Sequence, residues 1–250
     1  MSMEFKDHFS GHAGLYAQAR PHYPDALFDW IAQQSPARDC AWDVACGNGQ
    51  ASIALARHFR DVIATDPSAQ QISQAQRHPR IEYRVEAAEH GSLQDRSVDA
   101  ITIAQALHWF DLSRFVGEVR RVARPGALFA AWSYAGCSVD ANVDAVIARL
   151  YDDILGEYWP PERRLVDEGY ASLAIPFAPV EAPAFEMRMD WNTDQLLAYL
   201  RSWSAAQRYR KATGIDAVTA IVDDLQRAWG NPQKVRAVRW KLALRASRMD

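Results

Sequence analysis

Cysteine is scarce, with Cys40, Cys46 and Cys137 the three in 250 residues. An odd number at these spacings fits neither a disulfide framework nor a zinc-binding pattern, so three reduced thiols in a cytoplasmic protein are expected. No apolar run is long enough to cross a bilayer, so no membrane partner is expected. The stretch from Met1 to Phe9 is charged and lacks the apolar centre of a signal peptide. A strong charge of one sign is also missing. The net charge is −3, which gives no sign of the basic surface a nucleic-acid partner favours. Repeats and low-complexity tracts are absent. No His/Asp/Glu group shows ligand spacing, so no metal is expected.

The chain is otherwise ordinary for a folded protein, 49% hydrophobic and 24% charged, and its length suits one large α/β domain with a substantial lid. The charge is uneven. Val180 to Asp250 carries 12 Lys/Arg against 8 Asp/Glu, which suits either a solvated helix surface or attraction of an acidic substrate.

The first half alternates strand and helix. Asp25 is placed to cap a helix with Leu27, Phe28 and Ile31 on one face. Strands are predicted at Cys40–Ala45, Asp61–Thr65, Ile81–Val85, Val98–Ala104 and Ala127–Trp132. Helices are predicted at Gln50–Phe59, Ser68–Arg77 and Asp111–Val122, the last ended by Pro125-Gly126. Repeated units of this kind with apolar strands give a parallel sheet covered on both faces. Beyond Cys137 the rhythm changes: a helix at Asp140–Leu155, a proline-broken stretch from Gly156 to Pro183, a strand at Phe185–Trp191, helices at Thr193–Tyr209 and Asp216–Trp229, and a last strand at Val235–Leu244.

The chemistry lies in Trp42-Asp43-Val44-Ala45-Cys46-Gly47-Asn48-Gly49. A strand runs into a Gly-x-Gly turn with a helix directly after it, and glycines there let backbone approach a ligand closely. Asp43 ends the strand. Asp66 ends the next one and is placed to accept the hydroxyls of a ribose. A dinucleotide site wants a third small residue at the helix start for its pyrophosphate. Here Gln50-Ala51-Ser52 follows, and Asp43 would repel a pyrophosphate. An acid beside the loop suits a cationic, phosphate-free nucleoside such as S-adenosylmethionine (SAM).

These residues resemble the class I SAM-dependent methyltransferases, in the branch that includes trans-aconitate methyltransferase. The resemblance is clearest from Tyr16 to Trp132. Asp43 to Gly49 resembles the first motif, Arg84 to Asp99 the loop lining the adenine, Ile103 to Phe110 the segment after the fourth strand, and Val122 to Phe129 the turn into the fifth. Ala45 stands where the family usually has glycine, and Ala87 where it often has an acid.

The resemblance implies a Rossmann-like, doubly wound, mostly parallel seven-stranded sheet with helices on both faces and a helical lid. The expected division is a cap over the cofactor (1–36), a SAM-binding core (37–137) and a lid or substrate region with the last two strands (138–250). It implies cofactor contacts from Tyr16, Arg20, Asp43, Ala45, Gly47, Gly49, Asp66, Ala88, Glu89 and Gln105. Arg20 is suited to the methionine carboxylate. His108 is the candidate general base. Trp109, Trp132, Trp203 and Arg208 are candidates for the substrate side. The expected reaction is methyl transfer from SAM to a small molecule, at a carboxylate or hydroxyl oxygen, leaving S-adenosylhomocysteine (SAH). A methyltransferase for tRNA or protein, a non-enzymatic SAM-binding regulatory module and an NAD-dependent oxidoreductase are the alternatives.

Overall fold

The computed structural model describes residues 21–250. The first half follows the predicted alternation: α1 (Asp25–Gln34), β1 (Cys40–Val44), α2 (Gln50–Leu55), β2 (Asp61–Asp66), α3 (Ala69–Ser73), β3 (Ile81–Val85), β4 (Val98–Ala104), a 3-10 turn (Leu107–Trp109), α4 (Leu112–Val122) and β5 (Ala123–Ser133). The second half adds α5 (Ala141–Arg149) running into a π turn, α6 (Arg163–Asp167), β6 (Ala178–Pro179), β7 (Phe185–Trp191), α7 (Thr193–Arg201), α8 (Ser204–Thr213), α9 (Val222–Trp229) and β8 (Arg236–Arg248).

The strands join in one sheet of eight, ordered β3-β2-β1-β4-β5-β8-β6, with β7 on the other part of β8. Seven strands were expected; the extra one is the two-residue β6. β1 to β5 pair in parallel, while β8 runs antiparallel to its partners. Strand order reverses between β1 and β4. In open α/β sheets the crevice beyond the carboxyl ends at such a reversal is where ligands bind.

Alternating side chains place one hydrophobic cluster on each face. One contains Ala41, Val62, Ala100, Leu128 and Trp132 and continues into α1, α2 and the C-terminal helices. The other contains Trp42, Val44, Ile101, Ile103 and Phe129 against Phe115, Val119 and Val122 of α4. The first cluster spans all three expected segments, since Leu27, Ala41 and Trp240 share it.

Several boundaries differ from expectation for local reasons. Asp25 does not cap α1; Pro24 precedes the helix without a side-chain cap, and Asp25 pairs with Arg57 at 2.9 Å. β5 begins at Ala123 because the register shifts between Val98 and Ala100, and this irregularity accommodates Pro125-Gly126. The expected helix over 193–209 is two helices: Trp203 turns extended, with ψ 138, and buries its indole. β8 outlasts Leu244 because Ala243 to Arg248 pair antiparallel with β5, and Arg245 and Arg248 add bonds to the carbonyls of Tyr170, Gln34 and Gly126.

At the amino ends of the strands, Asp99 is fully buried. It accepts the N–H groups of Asp39 (2.9 Å) and Cys40 (3.0 Å) and the Arg124 guanidinium (2.8 Å). This fastens β1 to β4 at the end opposite the crevice.

Candidate active site

The loop after β1 is shaped by carboxylates. Gly47 N–H donates to Asp66 Oδ2 at 2.8 Å, and Ser68 N–H donates to Oδ1 at 2.8 Å. Asp66 therefore holds the first loop against the end of β2. Gly49 lies at φ +84, and a Cβ there would stand 2.3 Å from Tyr83 Oη. Only glycine serves, because the backbone is left-handed and the phenol of β3 covers it.

Asp43 lies under the loop with no exposed surface. It accepts Ser52 Oγ–H at 2.5 Å and Thr102 Oγ1–H at 3.1 Å. Burial pushes its pKa up to about 6; the two hydroxyls oppose the rise and the Asp66 charge adds to it. Burial first, then Asp43 and Asp66, also hold the Cys46 thiol protonated. The loop thus sits in a negative field, which suits a cation and opposes a phosphate. This, with an acid at each strand end, fits SAM.

The Asp43 shift has a sign that can be checked. Its folded pKa lies above the ordinary value of 3.8, so ionising it between about pH 4 and 6 costs the apo protein on the order of 3 kcal/mol. A cation in the crevice favours the ionised form. SAM affinity is therefore expected to rise about tenfold from pH 5 to pH 7, and Asp43→Asn should flatten the profile. Calorimetry across that range reads it, and a flat wild-type profile would contradict the coupling.

Ala45 adopts φ +52, a left-handed conformation that costs a side-chain-bearing residue about 1–2 kcal/mol. The unfolded chain gains about 0.4–1 kcal/mol of flexibility from glycine. Ala45→Gly should thus leave stability unchanged or raise it by up to about 1.5 kcal/mol, with SAM affinity kept. Chemical denaturation checks this, and a clear loss of stability would show that the methyl group is needed.

Of the other candidates, Ala88 and Glu89 follow β3, and Gln105, His108 and Trp109 follow β4, which pairs with β5. Gln105, at φ +58, clamps the two strand ends. Its Nε2 donates to Tyr134 O (2.9 Å) and its Oε1 accepts Tyr134 N–H (2.8 Å), so a structural task occupies the amide expected at the methionine part. Ala88 is buried, and Glu89 accepts the Asp111 N–H at 2.9 Å. Trp109 packs beside His108, with ring centroids 4.6 Å apart.

Trp132, expected on the substrate side, has no exposed surface and packs edge-on to Tyr23 and Phe28, and its indole N–H has no partner. Trp203 is likewise buried, among Tyr151, Trp159 and Tyr199. Arg208 lies half-buried on α8. Tyr16 and Arg20 lie outside the described residues.

His108 was expected as the general base. Burial, reinforced by the Arg163 charge, lowers its pKa to about 3. An imidazole so reluctant to take a proton is a poor general base at neutral pH. Its Nδ1 lies 3.0 Å from Tyr170 Oη.

Sequence reasoning passed over Arg163. It lies over the rings of Trp159 (4.6 Å) and Tyr151 (5.3 Å) and donates to Tyr151 Oη, Asp167 and Ala135 O. Ser52, Thr102 and Tyr83 were missed too. Asp66-Pro67-Ser68 carried a readable signal, because an aspartate commonly accepts the N–H two residues on. Among the described residues, no three His, Cys, Asp or Glu side chains are grouped to hold a metal, and no helix is long and apolar enough to cross a membrane.

A parallel sheet with its reversal at β1 and β4, and a carboxylate-bound glycine turn in that crevice, define a Rossmann-like nucleoside-binding core. Comparison with known proteins narrows the class. The family model described as a methyltransferase domain matches residues 42–131. A Dictyostelium discoideum protein named as a methyltransferase is 34% identical over 90% of this chain and 88% of its own length. A Saccharomyces cerevisiae protein named as an S-adenosylmethionine-dependent methyltransferase is 30% identical over 48% of this chain and 44% of its own. The solved structure of a type II methyltransferase from Anaeromyxobacter dehalogenans superposes with a TM-score of 0.87, at 50% identity over 92% of this chain and 97% of that one. The chain belongs to the class I SAM-dependent methyltransferases, and SAM is its cofactor.

Proposed function

We propose that the protein methylates an oxygen of a small molecule, and that this oxygen belongs to a carboxylate. The reading is supported by the surroundings of His108: its ring is set against Tyr170, and burial and the half-buried Arg163 guanidinium disfavour its protonated form. A hydroxyl nucleophile would call for a base, whereas a carboxylate is already ionised at neutral pH. The modest net charge of −3 favours a small acceptor over RNA.

Asp66 is the residue suited to hold the ribose of SAM, and Asp43 supplies the field under its cationic part. When bound, SAM supplies a methyl carbon already activated by the adjoining sulfonium. The protein's own contribution is alignment and exclusion of water. Gln105 fixes the ends of β4 and β5 to each other, so the groups beyond them are held in one geometry. Such proximity contributes at most about 7–11 kcal/mol to lowering a barrier. Tyr151 and Trp159 stack on Arg163, and Asp167 pairs with its guanidinium, so its position beside His108 is fixed.

The test is a screen of small carboxylic acids with methyl-labelled SAM. Label is expected in a base-labile ester. Label only in alcohols, amines, RNA or protein would overturn the carboxylate reading, and no transfer to any class would favour a binding module.

A further inference from the structure

We infer that His108 is a hydrogen-bond donor of fixed tautomer, its Nε2–H offered to an oxygen of the methyl acceptor and its Nδ1 locked by Tyr170. This rests on the methyl-transfer reading and specifies how that site meets its acceptor.

The argument begins with the phenol. Tyr170 has no exposed surface, so its O–H must find an acceptor within the protein. Its oxygen lies 3.0 Å from His108 Nδ1, and the backbone amides of Leu107 and His108 face that same oxygen. Burial keeps the phenol protonated. His108 Nδ1 is the acceptor within hydrogen-bond distance of this buried phenol, so the phenol hydrogen points at Nδ1. A neutral imidazole carries one N–H, and an Nδ1 that accepts must leave the proton on Nε2. The opposite tautomer would leave the Tyr170 hydrogen without an acceptor among the described residues.

The backbone fixes Tyr170 for this contact. Gly169 and Tyr170 are both left-handed, at φ +60 and +62. A Cβ on Gly169 would come within 2.7 Å of Ala243 Cβ, so the turn is closed against β8. Tyr170 N–H donates to Leu165 O (2.8 Å), and Arg245 donates to Tyr170 O (2.8 Å). A bulky residue in that conformation persists only where its surroundings hold it, and such residues gather at functional sites.

The far side of the ring is open. Nε2 has no protein partner among the described residues and is not a sealed, unsatisfied atom. The ring stands just beyond β4, at the end of the sheet where cofactor and acceptor meet. Arg163 is the charged group beside it, Tyr170 the titratable one. With a guanidinium alongside, an N–H there recognises an anionic oxygen and takes no proton from it. Tyr170 is a positioning residue, acting through the imidazole.

Long-range proton–nitrogen spectra of protein labelled with 15N-histidine test this without any substrate. His108→Gln identifies the resonance among the seven histidines. The expected pattern is the Nε2–H tautomer, unchanged from pH 8 to pH 5, with both tautomers present in Tyr170→Phe. A proton on Nδ1, a titration near the ordinary imidazole value, or no change in Tyr170→Phe would overturn the inference.

With the acid found by the labelled screen, His108→Gln keeps a donor near the Nε2 position and should hold kcat/KM within about tenfold, whereas His108→Ala should lose about a hundredfold. Equal losses in the two variants would restore a proton-accepting role and overturn the inference. Calorimetry with SAH separates the two readings. If SAH binds and His108 titrates normally, this inference alone fails; if SAH does not bind, the methyl-transfer reading fails, whatever the tautomer.

Discussion

Replacing Asp66 by alanine is expected to weaken SAM binding by roughly 1–3 kcal/mol, the usual cost of losing hydrogen bonds to a charged group. The expected loss has two sources. On the proposed reading the carboxylate takes the ribose hydroxyls, and in the structure it accepts Gly47 N–H and Ser68 N–H. Asp66→Asn sorts the two. Its amide can accept one of those N–H groups but turns an NH2 toward the other, so it too should bind SAM less well and should loosen the loop. Titration calorimetry on both variants gives the result. Affinity unchanged in Asp66→Ala would remove the ribose assignment.

The second large effect concerns the opposite end of the sheet. Asp99→Ala is expected to cost about 3–5 kcal/mol of stability, measured by urea denaturation. The variant strands two backbone N–H groups, of Asp39 and Cys40, and breaks the ion pair to Arg124. The Arg124 side chain is 35% exposed, so water rescues its charge in part, and the larger share of the loss falls on the two amides. Arg124→Ala should accordingly cost less than Asp99→Ala. SAM affinity, corrected for the folded fraction, should hold, because Asp99 lies away from the crevice. A stability change below about 1 kcal/mol would mean that water replaces these bonds freely.

How much of this was legible in the sequence depends on the range of the interaction. β4 and β7 were delimited to the residue, at Val98–Ala104 and Phe185–Trp191, because apolar content and alternation are local signals. The glycine turn and the spacing to Asp66 were likewise readable, since motif and contact coincide there: Gly47 and Asp66 are nineteen positions apart and bonded. Extents were less legible. α2 and α3 end at Leu55 and Ser73, well before the apolar pattern does, because turns outside a helix can bury the same side chains.

The acceptor side was the least legible. His108 meets Tyr170 across 62 positions, and the tyrosine's stretch is broken by prolines and offers no period. From sequence, a histidine after the fourth strand has its ordinary pKa near neutrality; only burial and Arg163 make it a weak base. Trp132 shows the same limit. An aromatic residue at a strand's carboxyl end faces one side of the sheet or the other according to the strand's register, and here Trp132 packs on Tyr23 and Phe28.

Titration calorimetry of the wild-type protein with SAM, SAH and NAD bears most directly on the whole. A crevice with one acid at its edge and another buried beneath its glycine loop, and free of a pyrophosphate cradle, should take up SAM and its demethylated product and leave NAD in solution. Uptake of NAD, or silence toward both sulfur nucleosides, would contradict it.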